Sequence, residues 1–107
     1  MTAHQFRGER TLMRIFASER DLCRAGPHKG RRLSDALLEF FRERGFAGTT
    51  LLQGIKGFGA NAHIHSAQIE YLSFDLPLVV EVVETDEKIQ QVLPELDEMI
   101  DSGLITL

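Results

Sequence analysis

Apolar side chains recur along this chain with two different periods, and the switches between them mark out the elements. Thr11 to Ala17 (TLMRIFA) is dense in strand-forming residues and predicts a first strand. From Leu33 the spacing lengthens. Leu33, Ala36, Leu37, Phe40 and Phe41 fall three and four apart, as on one face of an amphipathic helix, and Gly45 stands where that helix should stop. Thr49 to Ile55 (TTLLQGI) predicts a second strand between Gly48 and Gly57, and Leu78 to Val83 (LVVEVV) predicts the strongest strand of all. Thr85 or Asp86 can then cap a helix whose inner stripe is Ile89, Val92, Leu93, Leu96, Met99 and Ile100. Pro94 falls inside that stripe and should kink or split the helix, because its ring removes a donor and crowds the preceding turn. Leu104 to Leu107, after Gly103, predicts a short last strand.

Two stretches interrupt this regularity. Ser18 to Gly30 carries Gly26, Pro27 and Gly30 and reads as a loop. Residues 57–75 open on Gly-Phe-Gly and run polar, predicting a long connection with local strand pairing around Ile69 to Leu72. Connections of this length are usually functional or mobile. Residues 1–10 read as a flexible arm before a single domain spanning 11–107. The order β-α-β-β-α-β predicts an α+β fold, a ferredoxin-like two-layer sandwich with two helices on one face of an antiparallel sheet.

That architecture leaves a surplus of apolar surface. The strand at 78–83 is apolar on both sides, with Leu78, Val80 and Val82 against Val79 and Val83. The first strand repeats the pattern, with Leu12 and Phe16 against Met13, Ile15 and Ala17. A half-solvated antiparallel sheet should alternate apolar with polar residues, and a large bare apolar patch is unusual on a monomer. Either another subunit covers the second face or the long connection folds across it.

Composition and charge narrow the class. At 107 residues there is room for one domain. Its 43% hydrophobic and 26% charged residues are ordinary for a globular protein. The lone Cys23 has no internal disulfide partner, the N-terminal residues lack a signal-peptide core, and the longest apolar run is too short to span a bilayer. These features predict a cytoplasmic protein with no direct membrane insertion. Net charge is −4, distributed unevenly: residues 1–32 hold eight Arg/Lys against three acids, and the remainder four against thirteen. The basic part peaks at Arg24, His28, Lys29, Arg31 and Arg32. Such a patch can contact phosphate or simply be a solvated loop. On an acidic chain it does not predict a nucleic-acid binder.

The segment Gly45 to Gly59, GFAGTTLLQGIKGFG, resembles the PII signalling proteins. In these a helix ends in glycine, a strand follows, and Lys-Gly-Phe-Gly stands at the root of a mobile T-loop; here those residues are Lys56, Gly57, Phe58 and Gly59. The ordered set IKGFG, His65, DLPLVVEVVE, LPELDEMI and GLITL is similar to a PII-like family, domain of unknown function one hundred and ninety, over nearly all of residues 12–107. The resemblance implies a homotrimer with its sheets packed inward and an adenine nucleotide in clefts between subunits. It also implies a T-loop that meets a regulated partner such as a membrane transporter. One departure stands out. Residues 86–107 hold a single basic residue, Lys88, and lack the glycine-rich, lysine-bearing loop with which PII proteins grip phosphates.

For the chemistry itself, Gly57-Phe58-Gly59 can let backbone N–H groups approach an anion or a base, or can be a plain turn. Lys56 can offset a phosphate charge or guard an exposed strand edge, and Lys29 and Arg31 can add charge from the basic loop. His63 and His65, alternate residues of an extended segment, could share a divalent metal with His28 or Glu70. This gives an alternative reading as a metal-binding trimer. A ligand-free interaction module is the third. Ser66 beside His65 lacks a nucleophile elbow or an orienting acid, and Glu81 and Glu84 point to opposite strand faces, so no catalytic set is expected.

Overall fold

The structure is a computed structural model that describes residues 7–58, 64–66 and 76–107, the segment 64–66 by its backbone only. Strand β1 (Thr11–Ser18) enters the middle of a sheet and is followed by helix α1 (Leu33–Glu43) and strand β2 (Thr50–Gln53). A short ribbon of β3 (Lys56–Phe58) and β4 (Ile64–Ser66) precedes β5 (Pro77–Glu84). Helix α2 (Asp86–Met99) and strand β6 (Leu104–Thr106) complete the chain. The four-stranded sheet has the order β2-β5-β1-β6, and every pairing is antiparallel. Leaving the ribbon aside, this is the ferredoxin-like topology expected, two β-α-β units interleaved in one sheet.

The core lies between the helices and one face of the sheet. Met13 and Ile15 of β1 stand opposite Val82 and Val80 of β5, and all four are buried. Above them α1 contributes Leu33, Ala36, Leu37, Phe40 and Phe41, and α2 contributes Ile89, Val92, Leu96 and Met99, the stripes that the spacing predicts. Cys23 is buried in the same core and donates to the Ala25 carbonyl at 3.1 Å, a small structural thiol.

Local chemistry explains where the helices end. Gly45 adopts φ +72°, and the Phe46 N–H reaches back to the Phe41 carbonyl while that of Gly45 reaches Arg42. This is the left-handed glycine cap, and its customary apolar contact is present: the Phe41 and Phe46 rings lie 4.9 Å apart. Thr85 caps α2, its hydroxyl oxygen accepting from the Lys88 N–H at 3.3 Å.

Two expectations change. Helix α2 runs unbroken from Asp86 to Met99 through Pro94. The proline is exposed, so the Gln90 carbonyl that loses its partner lies on the wet side of the helix and water can satisfy it. The second strand stops at Gln53 instead of continuing to Ile55. The ladder ends at the next pair: the Gly54 N–H donates to the Pro77 carbonyl at 2.7 Å, but Pro77 has no N–H to return a bond, and a Cβ at Gly54 would meet the Pro77 ring at 2.8 Å. The pairing within the long connection joins 56–58 to 64–66, whereas Ile69 to Leu72 lie outside the described residues. Of the N-terminal arm, residues 7–10 are described and carry neither helix nor strand. Among the described residues, no helix is long and apolar enough to cross a membrane.

Candidate functional site

The ribbon grows from the sheet end at which β2 finishes and β5 begins. Lys56 pairs with Ser66, Gly57 with His65, and Phe58 with Ile64. Pro77, the first residue of β5, sits against this root, touching the space beside both Gly54 and Gly57. A Cβ at Gly57 would come 3.4 Å from the Pro77 ring, an ordinary van der Waals contact, so packing against Pro77 does not require glycine here. Its φ is not positive, and the left-handed freedom anticipated for an anion cradle is not drawn on at this position. Gly59 and His63 lie outside the described residues, and so does the His65 side chain.

What the ribbon root offers is one cation and two apolar groups. Lys56 is exposed and makes no ion pair among the described residues. Ile55 and Phe58 flank it, 77% and 69% exposed.

The basic loop is organised differently. Two left-handed glycines, Gly26 (φ +84°) and Gly30 (φ +88°), turn the chain, and the Gly30 N–H closes the loop on the Cys23 carbonyl at 2.9 Å. His28 locks it to the end of α1, with Nε2 3.0 Å from Glu43 Oε1 and Nδ1 3.1 Å from the Arg31 guanidinium. A guanidinium only donates, so Nδ1 accepts and the Nε2–H donates to Glu43: a neutral ring fills both roles. Arg31 is thus partly engaged, whereas the exposed Lys29 side chain has no partner among the described residues. Arg32 donates to the Glu19 carbonyl at 3.3 Å.

Arg24, in the same patch, has a structural task that its sequence position does not reveal. Its Nε donates to the Glu98 carbonyl at 3.2 Å, one terminal nitrogen to the Asp97 carbonyl at 2.9 Å, and the other to Asp101 at 2.8 Å. Its backbone N–H takes the Met99 carbonyl at 2.9 Å. With the Ile100 N–H on Leu96, all four terminal carbonyls of α2 are satisfied, three of them by this one arginine. Lys88 is likewise committed. Its ammonium donates to the Gly45 carbonyl at 2.7 Å and lies 5.1 Å from the Phe46 ring centroid, tying the end of α1 to the start of α2.

The predicted site residues therefore fall into two groups. Lys56, Gly57 and Phe58 share the ribbon root, while Lys29 and Arg31 ride a loop tied to the far end of α1. No described contact within one chain joins the groups. The cavity beside the loop, between Pro27, His28, Phe40, Glu43 and Met99, measures about 50 Å³. Small-molecule sites usually need several hundred cubic ångströms, so this cavity cannot hold a nucleotide. Among the described residues no group of three His, Cys, Asp or Glu side chains could hold a metal ion.

The second face of the sheet is the other open surface. Its residues line up in rows across the strands. Leu104, Phe16, Val79 and Leu52 form an apolar row from edge to edge, and Leu12 stands beside Val83 in another. Leu104, Phe16, Leu52, Leu12 and Val83 are all more than a third exposed. The apolar surplus foreseen from the strand patterns is thus real, and neither helix covers it. Between the rows runs a polar one, Thr106, Arg14, Glu81 and Thr50, with Arg14 Nε 2.6 Å from Glu81 Oε2. This pair had no individual signature in the sequence. Both residues occupy outward positions of their strands, but only the register places them side by side.

A ferredoxin-like sheet with one bare face and a ribbon rising between its second and third sheet strands is the arrangement of a PII-like protein. Comparison with known proteins agrees. The profile of the DUF190 family (Uncharacterized ACR, COG1993) matches residues 10–107. A UPF0166 protein of Aquifex aeolicus (strain VF5) is 40% identical over 95 residues, covering 89% of this chain and 88% of its own. A second UPF0166 protein of the same organism is 35% identical over 99 residues, covering 92% and 89%. UPF0166 protein MJ1524 of Methanocaldococcus jannaschii is 30% identical over 97 residues, covering 90% and 84%. The chain belongs to the DUF190 family.

Proposed function

We propose that this protein is a PII-like signalling module that binds a small anion, with adenine nucleotides the first candidates, and is not an enzyme. The ligand would sit at the ribbon root, in a cleft completed by a neighbouring copy in a homotrimer. Its arrival would change how the segment 58–74 meets a regulated partner, a membrane transporter being the class that the PII resemblance suggests. The observation that carries this reading is the ribbon root itself: Lys56 is exposed and makes no ion pair among the described residues, beside an exposed Ile55 and Phe58. A cation on a β-ribbon can meet a phosphate, and exposed apolar neighbours can meet a base or a partner. The open sheet face supports self-association, which would bring a neighbouring copy to complete such a cleft. A PII-type phosphate grip from the end of α2 is not part of the proposal, because Lys88 is committed to Gly45.

Titration calorimetry tests the proposal with ATP, ADP, AMP and cyclic AMP, with and without magnesium. The expected result is saturable binding near one site per chain, weakened at least tenfold by Lys56→Ala. Flat traces across the panel would remove nucleotide binding. Zinc or manganese uptake abolished by replacing His63 and His65 with alanine would favour the metal-binding alternative.

A further inference from the structure

The polar row on the open sheet face is a more specific feature than self-association requires. An apolar face alone would drive association, but it would do so in many alignments, because hydrophobic contact is non-directional. Here the apolar rows are separated by Thr106, Arg14, Glu81 and Thr50, and neighbouring rows lie about 7 Å apart along the strands. The ion pair at the centre is held end-on, by the single bond from Arg14 Nε to Glu81 Oε2. The terminal guanidinium nitrogens and Glu81 Oε1 make no bond among the described residues. Half of the Arg14 side chain is exposed, and a quarter of that of Glu81.

We propose that this row sets the alignment of one copy against another: the spare Arg14 donors and Glu81 oxygen bond the polar row of a neighbouring copy. The inference rests on the reading of this face as a self-association surface. A second copy is the occupant that fits, because among the described strand residues the face carries one cation and one anion, which balance, and it presents the same rows to itself. A strongly acidic or basic partner would leave one charge opposed. The alignment that brings polar row to polar row gives the spare donors and the spare oxygen of this pair polar partners. A shifted alignment buries the Arg14–Glu81 pair against leucine, phenylalanine or valine with its spare donors and spare oxygen unbonded, and desolvating an ion pair without bonding those groups is unfavourable. Buried polar groups that select register at some expense of stability are best attested in coiled coils, and the same logic applies to a sheet face.

The test uses the full chain and reads oligomer mass by native mass spectrometry and light scattering, with circular dichroism checking the fold. Wild type should give one oligomeric species. The double substitution R14M/E81L, which makes the row apolar at similar volume, should fold but spread over several masses. The exchange R14E/E81R puts the same two groups back in opposite places in every copy and should restore a single species. R14E alone, setting two carboxylates side by side, should raise the dissociation midpoint at least tenfold. A double variant R14M/E81L that assembles as the same single species, with an unchanged dissociation midpoint, overturns the alignment role while leaving self-association intact. A monomeric wild type at tens of micromolar would overturn both.

Discussion

Arg24 offers the sharpest test of how this fold is held together. Helix α2 carries Asp86 and Glu87 in its first turn, matching the positive end of its dipole, but has no basic residue in its last turn. That role is filled from a distant loop, by a guanidinium that bonds two terminal carbonyls and the Asp101 carboxylate. Replacing Arg24 with alanine leaves the backbone bond to Met99 in place and removes the three side-chain bonds. The side chain is about half exposed, so water takes over part of their function. An exposed cation at a helix end contributes about 0.3–1 kcal/mol, and the fork geometry adds roughly as much again through its directed bonds, for a total of about 0.6–2 kcal/mol. In a domain near 100 residues this corresponds to a fall in Tm of about 3–9 °C. Thermal unfolding followed by circular dichroism, at one fixed protein concentration because assembly shifts Tm, measures it. Arg24→Lys keeps the charge but not the planar fork and should recover about half of the loss. The reasoning is refuted if Arg24→Ala unfolds within 1 °C of wild type, or if lysine serves as well as arginine.

Two other substitutions probe backbone features of the same helix and its exit. Pro94→Ala should stabilise the protein by about 1–3 kcal/mol, because alanine restores the bond to the Gln90 carbonyl at an exposed position of an unbroken helix; a loss of stability in urea unfolding would show that the ring has a packing role. Gly103→Ala should destabilise by about 1–3 kcal/mol, since a Cβ would stand 2.9 Å from the Phe16 carbonyl oxygen and 3.0 Å from Ile100 Cγ2. Faster hydrogen exchange at the β6 amides would accompany it, and unchanged protection would contradict the close-approach account.

Much of this architecture could be read before any coordinates. The buried stripes of α1 and α2, the stop at Gly45, the cap at Thr85 and the surplus apolar face all follow from spacing, because a helix or strand must turn its apolar side somewhere. The motif Lys56-Gly57-Phe58 likewise pointed to the ribbon root and to the PII-like family. Pro94 misled because propensity describes an isolated helix. Here Val92 and Leu96 on either side of it are buried in the core, and that packing holds the helix through the defect.

The fates of the charged residues belonged to the tertiary structure. Within the sequence Arg24, Lys29, Arg31 and Arg32 form one basic patch; in the fold Arg24 closes α2, Arg31 meets His28, Arg32 meets the Glu19 carbonyl, and Lys29 faces solvent. Arg14 and Glu81 are 67 residues apart and become a pair only through the register of β1 on β5. The physical reason is one of range. Hydrophobic burial acts through periodicity, which a short window of sequence contains in full. A hydrogen bond or ion pair depends on which atoms come within about 3 Å, and for residues far apart along the chain that is decided only when the elements pack.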